Sequence, residues 1–216
     1  MYQVLLDVDQ KGLTVVEIAI KQLCPELVDD YIEYFHTKAF SDHSEWSGCF
    51  CLHFHLDERL DALYKEFLET AEESDLSFSQ STARELVLNG TIQGYLAYHN
   101  ESVIGWCNTN DKLNYSALKE NVDPKNWEED SHEKIKSVVC FSVAPGFRGK
   151  GVASKLLERV CHDAKEQKYD WVEGYPQIGS QDVYINHHGP ESLFYQQGFI
   201  AYRSNGNQAV VRKLFK

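Results

Sequence analysis

The chain has 216 residues and 43% hydrophobic content, which is ordinary for a protein that buries a core. Its formal net charge of −12 argues against nucleic acid or an anionic membrane as the main partner and favours cationic or neutral substrates. No stretch approaches the roughly 20 apolar residues that span a bilayer, and Asp7 and Asp9 interrupt the place where a signal peptide would be apolar. We therefore expect a cytoplasmic protein, with residues 1–216 in a single domain because no linker or repeat divides them.

The N-terminal quarter predicts alternating strands and helices. Alternating β-branched residues in LTVVEIAIKQL, residues 13–23, predict a strand, and Pro25 then opens a predicted helix through residues 26–40. GCFCLHFHL, residues 48–56, alternates again and predicts a second strand.

Two helices and a hairpin follow. Apolar residues recur at helical spacing in residues 57–73 and again in residues 77–90, where a serine is expected to cap the helix. Two alternating apolar runs flank a His-Asn-Glu-Ser turn in residues 91–108, which predicts a β-hairpin.

The second half adds a strand–helix–strand unit after a polar segment, residues 109–134, that indicates a loop with some helix. The predicted elements are a strand at 136–143, a helix at 151–168, a strand at 170–175, a short helix at 190–197 and a final strand at 209–215. Hairpin-connected strands followed by such a unit predict an α+β fold with a mixed, mostly antiparallel central sheet flanked by helices.

The segment CFCLHFH is the one candidate for a metal site. As a strand it would place Cys49, Cys51, His53 and His55 on one face. Alternate residues of a strand lie roughly 6.6 Å apart, so four ligands in a row cannot converge on one zinc. We therefore predict no metal, with this face bordering a substrate pocket, and keep a metal-binding protein as a weaker alternative. All six cysteines are expected to be reduced thiols.

The stretch SVVCFSVAPGFRGKGVASKLLERV, residues 137–160, predicts an anion site between a strand and a helix. Its helix begins near Gly149 or Gly151, with cations but no carboxylate in the first turn. Glycines allow an anion close to the main chain, and the free N–H groups of a helix start bind phosphate oxygens. A plain strand-to-helix turn is the alternative interpretation.

Two nucleotide-binding motifs fail at this loop. A kinase-type phosphate loop needs Ser or Thr after Gly149 and Lys150, where this chain has Gly151. A dinucleotide fold needs a third glycine where this chain has Ser154.

The same residues resemble the GNAT superfamily of N-acetyltransferases. RGKGVA is similar to the (Gln/Arg)-x-x-Gly-x-(Gly/Ala) acetyl-CoA loop of that superfamily, with Arg148, Gly151 and Ala153 in the defining places. ESLFYQQGF resembles its closing LYEKxGF helix and turn, and GYLAYHNESVIGW resembles its central hairpin. The resemblance covers about residues 14–214 and implies a GNAT-like fold with direct transfer of acetyl from acetyl-CoA to an amine.

The resemblance also implies where acetyl-CoA binds. Main-chain groups of the strand would hold the pantetheine arm, and the amides of the loop would hold the pyrophosphate. The cofactor-binding residues implied in this way are Phe141, Ser142, Val143, Arg148, Gly149, Lys150, Gly151, Val152, Ala153, Ser154 and His188. His188 stands where the family often has an asparagine seven residues before a tyrosine.

Two catalytic residues are expected from the same resemblance. Tyr195 falls where the family often keeps a tyrosine that protonates the departing thiolate, although a packing role is equally compatible with it. No carboxylate lies on the strand at 136–143, so Glu173 in the next strand is the nearest acidic candidate for the general base. A charged residue facing solvent at a strand edge is the simpler interpretation of Glu173.

The sequence thus predicts an acetyl-CoA-dependent N-acetyltransferase whose acceptor is an amine of a small molecule or of an aminoacyl or peptide substrate. The alternative is an acyl-CoA-binding sensor or interaction module with the same fold and no transfer activity. Either would be a monomer or homodimer without a nucleic-acid or membrane partner.

Overall fold

The computed structural model describes residues 2–9, 12–70, 72, 75–127, 132–180, 182 and 185–215. The strands are β1 (Tyr2–Asp9), β2 (Gly12–Gln22), β3 (Gly94–His99), β4 (Ser102–Asp111), β5 (Ile135–Val143), β6 (Trp171–Gly174), β7 (Ile200–Asn205) and β8 (Gln208–Leu214). The α-helices are α1 (Val28–Thr37), α2 (Glu58–Thr70), α3 (Ser77–Leu88), α4 (Leu118–Asn121), α5 (Val152–Glu166) and α6 (Glu191–Tyr195).

The eight strands form one sheet in the order β1-β2-β3-β4-β5-β6-β8-β7. Every neighbouring pair is antiparallel except β5 and β6, which run parallel and are joined by α5. This arrangement confirms the predicted mixed, mostly antiparallel sheet flanked by helices. No helix in the described part of the chain is long and apolar enough to cross a membrane.

Alternation along the central strands divides the core between the two faces of the sheet. Leu96 and Trp106 belong to a cluster that contains Tyr31 of α1, whereas Tyr95 belongs to a second cluster that contains Leu156 of α5. The predicted hairpin is confirmed as β3 and β4, and its turn residues Asn100 and Glu101 have φ of 47° and 65°, which is typical of a tight hairpin turn.

Strands β5 and β6 separate part of the way along their length. Their parallel pairing ends at Val138 and Gly174, while β5 continues to Val143 on the β4 side. After Gly174 the chain separates from β5 and stays beside β8, where Gln177 pairs with Gln208, so the last five residues of β5 have no β6 partner. This opening positions the candidate site.

The segment before α2 departs from the prediction. Residues 48–56 were expected to form a strand, but they form turns and a 3-10 helix at His53–His55. Phe50 and Cys51 have φ of 38° and 53°, in the left-handed region that breaks a strand. The buried Tyr31 hydroxyl donates to the Phe50 carbonyl at 2.6 Å, so packing against α1 stabilises the turn.

Smaller differences have local causes. The expected serine cap of α3 is wrong, because the Asp75 carboxylate accepts from the Ser77 amide and Leu76 occupies the cap position. The apolar stripe of α2 is only partly buried: Leu60 lies in the core, but Leu68 is 55% exposed. Strands β1 and β7 were not predicted.

Candidate functional site

The open edge of β5 presents main-chain groups at the centre of the site. Backbone direction alternates along a strand, and the Val139 carbonyl accepts from His188 Nδ1 at 2.7 Å while the Val143 carbonyl accepts from Arg148 Nε at 3.0 Å. The main chain of Phe141, between these two residues, therefore faces the same edge. An extended ligand that lay along this edge could form hydrogen bonds with it as a neighbouring strand would.

The loop after β5 brings a helix start to the end of that edge. Gly149 and Gly151 have φ of 74° and 78°, which glycine adopts without strain, and Gly151 is the N-cap of α5. The first turn of α5 holds no acidic side chain. A Cβ added at Gly149 would meet nothing within 4 Å, so the space outside the loop is open. This geometry suits an anion bound by main-chain amides.

A groove of about 680 Å³ runs between this loop and α6 and is called here the β5/α5 groove. Its size is that of an ordinary ligand site. Eight of the predicted cofactor-binding residues border it: Phe141, Val143, Arg148, Gly149, Gly151, Val152, Ala153 and Ser154. Ser142 borders the adjacent pocket instead. Lys150 and His188 are not part of either lining.

A smaller pocket of about 110 Å³, the inner pocket, adjoins the groove and shares Phe141, Val143 and Arg148 with it. Its other walls are aromatic rings and thiols, and no carboxylate of the described residues borders it. The remaining lining residues are Phe35, Ala39, Phe40, Trp46, Cys49, Cys51, His53, Phe54, Cys140, Ser142 and His187.

The far side of the inner pocket adjoins a third space, the outer cavity, of about 670 Å³ between α2, α3 and residues 44–56. Trp46, Cys49 and His53 border both the inner pocket and the outer cavity. The three spaces therefore follow one another, with the inner pocket in the middle.

Arg148 holds the loop in place. Its guanidinium donates to both carboxylate oxygens of Asp42, at 2.6 Å and 3.2 Å, while its Nε donates to the Val143 carbonyl. The side chain thus joins the end of β5 to the segment after α1. The loop amides, rather than this engaged guanidinium, are the groups that suit a phosphate.

His188 lies beneath the site as a support. It is 5% exposed, and burial, followed by the neighbouring His187, lowers the pKa of His188 to about 3. The neutral ring donates from Nδ1 to the Val139 carbonyl. A ligand contact by this side chain, as expected from the sequence, does not fit such burial; the ring instead orients the open edge of β5.

Glu173 does not face solvent at a strand edge, so that interpretation is wrong. Its side chain is fully buried, and its two oxygens accept from Lys112 Nζ and Arg212 Nε. The Tyr175 hydroxyl also donates to it at 2.7 Å. A carboxylate held by two cations inside the protein is a structural ion pair, and Glu173 borders none of the three spaces.

Tyr195 also lies outside the three linings. It is 43% exposed, and its hydroxyl donates to Glu191 Oε1 at 3.1 Å, one turn earlier in α6. When LYEKxGF is aligned on Gly198 and Phe199, its tyrosine corresponds to Phe194 rather than Tyr195. Phe194 is fully buried against Phe199 and has no hydroxyl.

The same shift moves the asparagine position of the motif from His188 to His187. The geometry and this register together give no support to the acid role expected for Tyr195.

Two thiols beside the inner pocket, Cys49 and Cys51, are held in the neutral form. Hydrogen bonding to Cys51 and burial raise the pKa of Cys49, and hydrogen bonding to Cys140 raises the pKa of Cys51. His55 points into the core, where the Asn108 amide donates to its Nε2. The four residues of CFCLHFH therefore do not share one face as expected. Within the described residues there is no group of three or more side chains suited to a metal ion.

Sequence reasoning missed Asp42, Trp46 and Asn121. Asp42 binds the loop arginine, Trp46 borders two spaces, and Asn121 Oδ1 lies 2.7 Å from His53 Nε2. Asp42 and Asn121 lie 106 and 68 positions from their partners along the chain, and no short motif marks any of the three residues.

Comparison with known proteins agrees with this geometry. The model of the acetyltransferase (GNAT) family matches residues 56–189. A PaiA N-acetyltransferase from Thermoplasma acidophilum, in complex with coenzyme A, has 13% identity and a TM-score of 0.50 over 91% of this chain and 98% of its own. The GNAT domain of S. lividans PAT has 10% identity and a TM-score of 0.51 over 99% and 96%.

At such low sequence identity, the two structures show only that the fold is shared. No curated protein sequence matches the chain significantly. The family model, however, spans more than half of the chain, from α2 through the open edge of β5 to the residues just before α6. The protein therefore belongs to the GNAT family of acetyltransferases.

Proposed function

We propose that this protein is an acetyl-CoA-dependent N-acetyltransferase that acetylates an amine of a small molecule or of an aminoacyl or peptide acceptor. The observation that carries the proposal is the open edge of β5 beside the acid-free, glycine-flanked start of α5. We further propose that one such domain accounts for the whole chain, since the sheet runs from Tyr2 to Leu214.

The β5/α5 groove fits coenzyme A in two respects. Amides from Arg148 to Ser154 would bind the pyrophosphate at the start of α5. Main-chain groups of Phe141 and Val143 would bind the pantetheine amides as a neighbouring strand would. Both contacts use the main chain, so they depend on the loop conformation and on the separation of β5 from β6.

The inner pocket would receive the acetyl end, because it begins where the open edge of β5 meets Phe141 and Val143. Its aromatic walls exclude water, which protects a thioester from hydrolysis. The acceptor amine would enter from the outer cavity, past Trp46, Cys49 and His53. The two substrates would then meet from opposite sides, as direct transfer requires.

The alternative is a sensor that binds acyl-CoA without transferring the acyl group. The buried Phe194 at the tyrosine position of the motif is the observation that favours it. A sensor needs the β5/α5 groove but no route for an acceptor from the outer cavity.

One pair of measurements tests the proposal. Calorimetric titration with acetyl-CoA measures binding, and release of free thiol is followed with an amine panel of phenethylamine, spermidine and a tetrapeptide with a free N-terminus. Binding together with thiol release above the amine-free rate is the expected result. Binding without thiol release for any amine would support the sensor, and absence of binding would reject both.

A further inference from the structure

His53 stands at the junction of the two spaces that an acceptor would cross. It borders the inner pocket and the outer cavity, and its side chain is exposed. The 3-10 helix His53–His55 turns successive side chains in different directions, so His53 faces the cavities while Phe54 and His55 are buried.

A fixed partner sets the tautomer of His53. Asn121 Nδ2 donates to the Ala117 carbonyl at 2.6 Å, so the amide oxygen is the atom that faces the histidine. That oxygen lies 2.7 Å from His53 Nε2, which must therefore carry the proton in the neutral ring. The other nitrogen, Nδ1, is left as the basic atom.

This arrangement differs from that of the two buried histidines nearby. The Asn108 amide donates to His55 Nε2, and His188 donates from Nδ1 to the Val139 carbonyl. Both rings lie in the core, where burial lowers the pKa of His55 to about 4 and that of His188 to about 3. The two buried histidines contribute to packing. His53, by contrast, has an exposed ring, and its hydrogen bond with Asn121 fixes its tautomer.

Several titratable groups share these surroundings. Cys49 and Cys51 are held as neutral thiols, and the Arg148 guanidinium is bound to Asp42. The titratable and charged groups that border the two spaces with His53 are Cys49, Cys51, Cys140, Arg148 and His187 in the inner pocket, and Glu45, Tyr64, Glu72 and Asp75 in the outer cavity.

We propose that His53 is the general base of the transfer, and that Asn121 is its positioning residue. The inference rests on the proposed function. The acceptor ammonium gives one proton to His53 Nδ1, and the neutral amine then attacks the thioester carbonyl carbon. A C–N bond forms, the C–S bond breaks with its electron pair on sulfur, and the second amine proton goes to the thiolate. His53 returns its proton to solvent, so the sum is one amide, one free thiol and one proton.

The experiment measures kcat/KM against pH for the amine of the panel above that the wild type acetylates best. His53→Gln keeps a polar side chain of similar reach without a base, and it should lower kcat/KM by about 10²-fold and remove the acid limb of the profile. Acetyl-CoA affinity should change less than twofold. His162→Gln, on the exposed face of α5, is the matched control and should change neither quantity.

The positioning role has its own readout. Asn121→Ala should lower kcat/KM by about tenfold and shift the 15N signals of His53 away from the Nε2–H tautomer. Asn121→Asp, whose carboxylate still accepts from Nε2–H, should restore both. A purely structural role for Asn121 would leave the tautomer unchanged.

Two failures are distinguishable. A wild type that acetylates no amine of the panel would overturn the proposed function and the base with it. A wild type that transfers acetyl, with a His53→Gln variant that keeps the rate and the acid limb, would overturn only the base. If the acid limb of the pH profile were lost in His187→Gln instead, His187 rather than His53 would be the general base.

Discussion

Two of the walls that line the inner pocket differ in construction. The sheet wall consists of β5 with the loop to α5, whose strand, turn and helix are regular and are tied to the neighbouring β4. The loop wall consists of residues 41–57, which form turns and short 3-10 helices. One wall presents main-chain groups, and the other presents side chains.

This difference indicates a division of tasks. Main-chain groups on a packed sheet suit a cofactor that never changes, because their positions are fixed by the fold. Side chains on an irregular segment can be exchanged without disturbing the sheet, so they suit the acceptor and the chemistry. Substitutions in the sheet region should therefore alter stability or cofactor affinity, and substitutions in the loop wall should alter transfer.

The largest effect is expected at Glu173, in β6 beside the sheet wall. Glu173→Ala leaves Lys112 and Arg212 buried without their carboxylate, which should lower the free energy of unfolding by about 3–5 kcal/mol. Urea unfolding at neutral pH measures it. Glu45→Ala, which removes the exposed partner of His43 in the loop wall, is the control and should leave the unfolding midpoint almost unchanged.

A Glu173→Ala protein that kept its stability and lost transfer would contradict the structural role of this ion pair. That result would return Glu173 to the role of general base, for which the sequence offered it only as the nearest acidic candidate. Retained transfer in the folded fraction would instead support a structural ion pair.

The second effect concerns the loop that closes the sheet wall. Gly151→Asp should weaken acetyl-CoA binding at least about 100-fold, because it adds a carboxylate beside the amides proposed for the pyrophosphate. Calorimetric titration of the folded variant measures the affinity. Gly151→Asn separates the side chain from the charge and should have the smaller effect.

Gly146→Asp provides the positional control, since Gly146 lies in the same connection, outside the groove lining, with nothing within 4 Å of an added Cβ. Equal losses from Gly146→Asp and Gly151→Asp would mean that general charge, rather than a local site, weakens binding. Unchanged affinity in Gly151→Asp would place the pyrophosphate elsewhere.

The two walls also differ in how far the sequence predicts them. The strand at 136–143 and the helix at 151–168 were predicted within a few residues, because local periodicity and glycine position decide them. The apolar alternation of residues 48–56 is equally clear and predicts the wrong structure. There the Tyr31 hydroxyl and the left-handed Phe50 and Cys51 decide the path, and only tertiary packing supplies them.

The candidate site follows the same rule. Most of the predicted cofactor-binding residues border the β5/α5 groove because they are consecutive along one loop and strand. The pairing of His53 with Asn121 joins residues 68 positions apart, so no local pattern could reveal it. Glu173 was misjudged because its partners lie 61 and 39 positions away.

The third effect is a pH dependence of stability that originates behind the sheet wall. Burial holds the pKa of His188 at about 3 in the folded protein, below the value of about 6.5 for an unfolded chain. The unfolded state therefore binds more protons between these values, so stability falls as the pH is lowered through about 6.5. The loss should be about 2 kcal/mol for this residue at pH 5.

Urea unfolding at pH 7 and pH 5 measures that slope. His188→Gln, whose amide can still donate to the Val139 carbonyl, should reduce the slope, and the buried His55, whose pKa is also lowered, should contribute to the slope that remains. A slope that survives the substitution unchanged would mean that His188 is accessible to protons in the folded protein, contrary to its burial.

The smallest effect is expected at Tyr195, which the sequence presented as the acid and the structure places outside both walls. Tyr195→Phe removes only an exposed bond to Glu191, so kcat should stay within about twofold and the unfolding free energy within about 0.5 kcal/mol. Burial and the Glu191 carboxylate raise the pKa of Tyr195, which makes the hydroxyl a weaker acid. Steady-state rates with the best amine of the panel measure kcat.

A fall in kcat of about 10²-fold at unchanged acetyl-CoA affinity would restore the acid role of Tyr195. It would also require the thiolate to lie beside the exposed side of α6, away from the inner pocket. The division of tasks between the sheet wall, which binds the cofactor, and the loop wall, which contacts the acceptor, would then be wrong.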